Sequence, residues 1–206
     1  MKLLELFSGT GSVGRVANSL GWEVTSLDLK NADISEDILT WDYKQYDPKH
    51  FDFIWASPPC TEYSIAKTTA KRNIPAANEI VLKTLEIIDY LQPEYFVLEN
   101  PQTGYLKKQP FMEGRYFCDV DYCKYNHPAG FRKRTRLWNN IFHWNPKPLC
   151  NKDCGYIVDG KHIATAQRMP SGKRETWGNK PHFTQEELYV IPSSLIHEIL
   201  ASVNNG

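Results

Sequence analysis

Cys60 lies in Ser57-Pro58-Pro59-Cys60-Thr61-Glu62-Tyr63-Ser64, directly after the apolar run Phe51-Asp52-Phe53-Ile54-Trp55-Ala56. Neither proline has an N–H for a sheet ladder, and both hold the backbone stiff, so a strand that stops there presents its thiol instead of pairing onward. This stretch alone leaves two readings open: a thiol aimed as a nucleophile, or a small buried hydrophobe, the ordinary fate of an intracellular cysteine. Glu99 opens Glu99-Asn100-Pro101 after a second apolar run, Tyr95-Phe96-Val97-Leu98. Arg132, Arg134 and Arg136 alternate along 131–140, which sets three cations on one face of a strand. A solvated basic strand shows the same alternation. Beside a thiol, a carboxyl group and guanidiniums would form an acid–base and electrostatic set around a nucleophile.

These residues need a scaffold, and the N-terminal half reads as one. Lys2-Leu3-Leu4-Glu5-Leu6-Phe7 is a short buried strand followed at once by Ser8-Gly9-Thr10-Gly11-Ser12-Val13-Gly14. Val13, Val16, Ala17 and Leu20 recur at helical spacing, and Gly21 suits a left-handed cap. Strand, glycine loop and helix form a nucleotide-type unit. A second strand, 22–28, ends on Asp28, about 20 residues past the loop, where a carboxylate can accept hydrogen bonds from ribose hydroxyls. A third strand end falls at Ser35-Glu36-Asp37-Ile38, with Asp37 able to meet an adenine amino group and Asp42 read as a turn or cap residue. Residues 64–78 read as a mobile polar loop beside Cys60, able to close over a substrate. A helix with Ile80, Val81, Leu85, Ile88 and Leu91 follows from near Asn78 and ends before Pro93. Cys60 and Glu99 thus fall at the carboxyl ends of two strands, the edge where open α/β sheets bind ligands.

The later chain is less periodic. Cys118, Cys123 and His127 precede the arginine stretch, and Cys150, Cys154 and His162 follow it. Thiolates and imidazole at short spacing suit tetrahedral zinc, with Cys123, Cys150, Cys154 and His162 as the preferred set; separate reduced cysteines are the alternative. Thr184-Gln185-Glu186-Glu187 has capping-box form, and Pro192-Ser193-Ser194 opens a final helix with Leu195, Ile196, Ile199, Leu200 and Val203 on its inner side. The expected division is a catalytic, cofactor-binding core over 1–140, a small basic lobe over 141–182 and a C-terminal helix over 183–206 that returns to the core.

A chain of 206 residues can bury one full core. Its zero net charge hides a segregation: 9 Lys and Arg against 15 Asp and Glu in residues 1–100, then 15 against 6 in residues 101–182. The basic part could receive a polyanion, or be an ordinary solvated face. Five cysteines, no secretory-type leader and no apolar run of membrane-spanning length point to a reduced, soluble, intracellular protein without a disulfide framework, cytoplasmic in a prokaryotic or viral setting.

The order of these motifs resembles the cytosine carbon-5 DNA methyltransferases. Phe7-x-Gly9-x-Gly11 is similar to their S-adenosylmethionine loop, and Asp28 and Asp37 to the acidic residues after their second and third strands. Pro59-Cys60-x-x-Tyr63-Ser64 is similar to their nucleophile motif, Glu99-Asn100-Pro101 to their Glu-Asn-Val, and Arg134-Thr135-Arg136 to their Arg-x-Arg. The resemblance implies an α/β fold with a Rossmann-like S-adenosylmethionine-dependent methyltransferase sheet and a small basic, loop-rich lobe. It implies that Phe7, Ser8, Gly9, Gly11, Ser12, Asp28, Asp37, Ser57 and Pro58 bind that cofactor. Cys60 would add to carbon 6 of a flipped cytosine in DNA, Glu99 would hold ring nitrogen 3 and the exocyclic amine, and Arg136, supported by Arg134, would bind the carbon-2 carbonyl and keep Cys60 ionised. Two alternatives stay open: the same chemistry on RNA, and a non-catalytic module that binds nucleic acid or cofactor. Only residues 141–190 stand where bacterial relatives usually carry a target-recognition domain, so specificity is expected to be short, loose or supplied by the zinc lobe.

Overall fold

The computed structural model describes residues 1–68, 70–166 and 183–204. It holds a seven-stranded sheet in the order β3-β2-β1-β4-β5-β7-β6. The strands are β1 (Lys2–Leu6), β2 (Glu23–Asp28), β3 (Ile34–Ser35), β4 (Phe53–Ala56), β5 (Tyr95–Pro101), β6 (Phe117–Asp121) and β7 (Arg134–Asn139). The first five in chain order are parallel, while β7 runs antiparallel to both β5 and β6. From β1 the chain first builds outward to β2, then crosses to β4 on β1's other side, and the carboxyl ends of β1 and β4 therefore flank a crevice. The Ser57 N–H donates to the Leu6 carbonyl at 3.2 Å, which fixes those two ends together.

Buried β4 reads as an unbroken apolar run, and β1 as one interrupted by Glu5, because helices cover both faces. Helix α1 (Ser12–Ser19) and helix α4 (Ser193–Asn204) pack on one face, joining Leu3, Phe53, Trp55, Val97 and Leu137 in one core. Helix α2 (Ile74–Leu91) covers the other face over Leu4, Leu6, Ile54 and Leu98. Gly21 takes φ 77 after α1, the left-handed ending its position suggested. The short helix α3 (Gln185–Tyr189) has the complete capping box, with reciprocal bonds between Thr184 and Glu187.

Three expectations change in detail. Helix α2 starts at Ile74, not near Asn78, because the Asn73 side chain accepts from the Ala76 N–H and Pro75 sits in the first turn, where its missing N–H costs nothing. Arg132 falls outside β7, so the strand carries two of the three alternating arginines. The region after residue 140 contributes to the main core through Ile141, Trp144 and Ala164; beyond that it holds the two-stranded hairpin β8 (Ile157–Val158) and β9 (Lys161–His162). The rest of the expected basic lobe, residues 167–182, lies outside the described residues. No helix among those described is long and apolar enough to cross a membrane.

Leu200 is fully buried where α4 meets α1. Leu200→Ala should destabilise the protein by about 2–5 kcal/mol, measured as a lower urea midpoint with an unchanged slope.

Candidate active site

One cavity of about 350 Å³ runs along the crevice at the carboxyl ends of β1, β2, β4 and β5. Its lining includes Phe7, Ser8, Gly9, Ser12, Asp28, Asp37, Ser57, Pro58, Cys60 and Glu99, and so brings together most of the site residues named from the sequence. Gly11 stands just behind this wall as the left-handed N-cap of α1, at φ 62.

At one end the cavity has the chemistry of a nucleoside site. The Asp28 carboxylate accepts the Gly9 N–H at 2.8 Å and the Leu29 N–H at 2.7 Å, which holds it in the wall with lone pairs to spare for hydroxyl donors. Leu29, Ile38, Leu39 and Ile80 line the same space, and Leu29 and Leu39 are exposed, an unfavourable position unless an apolar ring covers them. Asp37 accepts the Leu39 N–H at 3.0 Å. These carboxylate acceptors and apolar walls fit the adenosine part of S-adenosylmethionine.

Beneath the glycine loop lies Glu5, which the sequence reading passed over. It accepts the N–H groups of Val13 and Gly14 at 3.3 and 2.9 Å and so satisfies two of the open donors at the start of α1. A Cβ at residue 14 would come within 2.7 Å of the Glu5 carboxylate and force it to shift from its place against these N–H groups. Burial raises the Glu5 carboxyl from its ordinary 4.5 to about 7, against the downward pull of those two N–H groups and Arg15. The signal was available: Glu5 is a lone carboxylate inside an apolar strand.

The other end of the cavity holds Cys60 and Glu99. The Asn100 side chain donates to the Pro58 carbonyl at 2.9 Å and ties the proline loop to β5. Tyr63, fully buried, donates to Asn78 on α2 at 2.8 Å and anchors the loop's far side. Glu62 binds Lys67 and the Asn73 N–H, so the polar segment after Cys60 is pinned near both ends. Glu99 Oε1 accepts from the hydroxyl of Tyr122, 3.0 Å away. Tyr122 is fully buried, and burial first, then the Glu99 charge, hold its phenol well above the ordinary tyrosine range, as a neutral donor.

Among the described residues, the cation that lines this cavity is Lys133. In the β5–β7 register Glu99 faces Leu137, Asn100 faces Arg136 and Pro101 faces Thr135. Directly paired residues share a face, so Leu137 and Thr135 stand on the Glu99 side, and Arg136 and Arg134 on the side of Asn100. Arg136 makes a two-pronged ion pair with Asp119 at 2.8 and 2.9 Å and stacks on Phe117, while Arg134 pairs likewise with Asp121 at 2.9 and 2.8 Å. Both are thus away from Cys60 and Glu99, contrary to the expectation from the Arg-x-Arg resemblance. Lys133, one position out of step, reaches the cavity and donates from Nζ to the Leu188 carbonyl at 2.8 Å. Burial pushes the Cys60 thiol above its ordinary 9.0, the Lys133 ammonium pulls it back, and the Glu99 carboxylate pushes it up. Tyr122 left no mark in the sequence, since a tyrosine in an irregular stretch has no pattern to stand out from.

The four residues of the expected zinc set also meet, away from this cavity. The Sγ atoms of Cys123, Cys150 and Cys154 and a ring nitrogen of His162 lie within 4.8 Å of one another, a group that could hold a metal ion.

Known proteins carry the same stamp. The description of the C-5 cytosine-specific DNA methylase family matches residues 1–108. Over 97% of its length the chain is 34% identical to a probable DNA (cytosine-5)-methyltransferase of Frog virus 3 (isolate Goorha), covering 99% of that protein. The chain belongs to this methylase family. Solved structures share its fold: the Entamoeba histolytica methyltransferase EhMeth, with TM-score 0.59 and 13% identity over 100% of this chain and 98% of that one; and S. pombe Dnmt2, with TM-score 0.53 and 15% identity over 86% and 66%. A putative DNA modification methyltransferase encoded within an E. coli prophage matches at TM-score 0.51 and 15% identity over 83% of this chain and 56% of that one.

Two outcomes follow for the methylase site. A carboxyl group whose folded-state pKa is raised contributes stability below its unfolded pKa and loses it as pH rises through the folded value. Glu5→Gln should therefore gain on the wild type by on the order of 3 kcal/mol between pH 4.5 and pH 7, read from paired urea titrations. Lys133→Gln should move the pH dependence of Cys60 alkylation by iodoacetamide to higher pH, since the cation that favours the thiolate is gone.

Proposed function

We propose that the protein methylates carbon 5 of cytosine in DNA, using S-adenosylmethionine, through a covalent Cys60 adduct on a base turned out of the stack. The observation that carries this reading is the continuity of one cavity from the Asp28 and Asp37 end to Cys60 and Glu99, which holds a nucleoside-type site and a nucleophile within one ligand's reach. When bound, S-adenosylmethionine supplies an electrophilic sulfonium methyl group.

Cytosine carbon 5 is a poor nucleophile, and the chain's residues supply what it lacks. Cys60 loses its proton to solvent, with Lys133 favouring the thiolate, and adds to carbon 6. The carbon 5–carbon 6 electron pair moves to carbon 5 while Glu99, which takes a proton from water as the base enters and is held by Tyr122, passes that proton to ring nitrogen 3 and is left as the carboxylate. With the methyl group in place on carbon 5, that carbon's proton passes to water, the sulfur–carbon 6 bond breaks, the double bond returns and nitrogen 3 gives its proton back to Glu99. The Asn100 bond to Pro58 keeps the thiol's approach constant through both covalent steps. Arg134 and Arg136, paired to Asp121 and Asp119, brace β7 against β6 so that Lys133 and Glu99 keep their spacing. A base inside duplex DNA cannot reach Cys60 at the bottom of such a crevice, hence the turned-out base.

Incubation with S-adenosylmethionine and DNA containing 5-fluorocytosine should trap a denaturant-resistant adduct, because fluorine blocks the loss of the carbon-5 proton. Cys60→Ser should give none. An adduct on 5-fluorocytosine RNA but not on DNA would overturn the DNA assignment, and binding of cofactor or nucleic acid with no adduct would leave the non-catalytic reading.

A further inference from the structure

We propose that Cys123, Cys150, Cys154 and His162 bind one structural zinc ion, and that this ion fixes the position of Tyr122 and, through it, of the Glu99 carboxylate. The site stands on its own geometry; the link to Glu99 rests on the function proposed above.

The spacing of the donor atoms is that of a tetrahedral ion. His162 Nε2 lies 3.5 Å from Cys150 Sγ and 3.4 Å from Cys154 Sγ, and all four donor atoms fall within 4.8 Å of one another. Zinc held at about 2.3 Å from sulfur and about 2.0 Å from nitrogen sets its sulfur and nitrogen ligands about 3.5 Å apart. Three thiolates and one imidazole close the coordination sphere with no open position, as in a structural site, and none of the four lines the Cys60 cavity. No disulfide competes for the sulfurs, since all five cysteines are free.

The ligands come from three pieces of chain: a core-packed turn, a loop tied to that turn through Lys147, and a strand two residues before Ala164, which bridges to Phe131. Cys123 lies in the helical turn Tyr122–Tyr125 after β6, Cys150 and Cys154 lie in a stretch without regular structure, and His162 lies on the two-residue strand β9. Between Cys150 and His162 no residue but Cys150 is fully buried, so this segment has no core of its own. Its ties besides the donor group include the Cys150 N–H bond to Asp121 at 2.9 Å and an exposed ion pair, Lys124–Asp153, of the kind that contributes little. A loop-rich segment in this position is ordered by a metal.

The same turn runs into the catalytic cavity. Tyr122, next to the ligand Cys123, carries the hydroxyl that donates to Glu99 Oε1 at 3.0 Å. On the other side, Asp121 accepts both the Arg134 guanidinium and the Cys150 N–H. Closing the metal site therefore fixes the backbone of Asp121-Tyr122-Cys123 from both directions, as groups just outside a metal's ligands are fixed elsewhere. Tyr122 is a positioning residue in this scheme.

The 206-residue chain, dialysed against metal-free buffer, should retain about one zinc per chain by mass spectrometry of metals. Cys150→Ser and His162→Ala should lose it, while Cys118→Ser and Cys60→Ser keep it. Zinc below about a tenth of an equivalent in the wild type would overturn the site. For the link, Tyr122→Phe should keep its zinc and its S-adenosylmethionine affinity yet form the 5-fluorocytosine adduct about tenfold more slowly. Chelated wild type should slow comparably and recover on addition of Zn²⁺ alone, and chelating Tyr122→Phe should slow it no further. Wild-type speed in Tyr122→Phe, or two effects that multiply, would overturn the link. If the wild type forms no adduct, the proposed function and the link fall together, while zinc content still decides the site.

Discussion

The antiparallel pairing of β7 with β5 is the constraint on which the site depends. Strand side chains alternate between faces, so the register that sets Glu99 against Leu137 also decides which of the crowded cations at 132–136 meets the thiol. Slipping the pairing by one residue would bring Arg134 and Arg136 to the Cys60 side and send Lys133 to the far one. The acidic partners on β6 hold the register: Asp119 lies opposite Arg136 and Asp121 opposite Arg134, each joined by a two-pronged ion pair. Such forked pairs are geometrically exacting, and a slipped strand would leave partly buried carboxylates unpaired. The arginines thus act on the site through the strand they align.

Around that register several buried ionisable groups are answered by specific partners. Glu5 sits under the start of α1 and takes two N–H groups that the helix cannot satisfy itself, and its carboxyl still rises to about 7 because burial outweighs them. Cys60 is balanced between burial and Glu99 on one side and Lys133 on the other. Lys133 in turn donates to the Leu188 carbonyl at the end of α3, and Tyr189 and Ile191 complete the cavity wall. The C-terminal segment thereby shares in the site, although its own sequence shows only a capping box and an apolar helix stripe.

Much of this was legible in the chain itself. The glycine loop after β1, the carboxylate closing β2, the prolines after β4 and Glu99 in β5 are local signals, each within a few residues of the turn or strand end it marks. Glu5 is legible too, as the lone carboxylate between Leu4 and Leu6 in an otherwise apolar run. The apolar stripe places the start of α2 too late, because Ala76 and Ala77 extend no stripe and the start is set by the Asn73 cap and Pro75. Tyr122 left no trace: its value comes from Glu99, 23 residues earlier in sequence.

The sequence by itself marked β1, β2, β4, β5 and β7 but not β6, together with the glycine loop and the placing of Cys60 and Glu99 at strand ends, because these depend on backbone preferences and spacing that neighbouring residues set. It also marked Cys123, Cys150, Cys154 and His162 as one set, and the donor atoms of those four meet in the structure. Tertiary structure alone decided that Lys133 faces Cys60, that Arg134 and Arg136 pair with Asp121 and Asp119, that Tyr122 holds Glu99, and that the sulfurs and His162 converge beside it. Each of those depends on which strand lies beside which and in what register. That is fixed by the packing of the whole core and by ion pairs between distant residues, neither of which any local stretch of the chain contains.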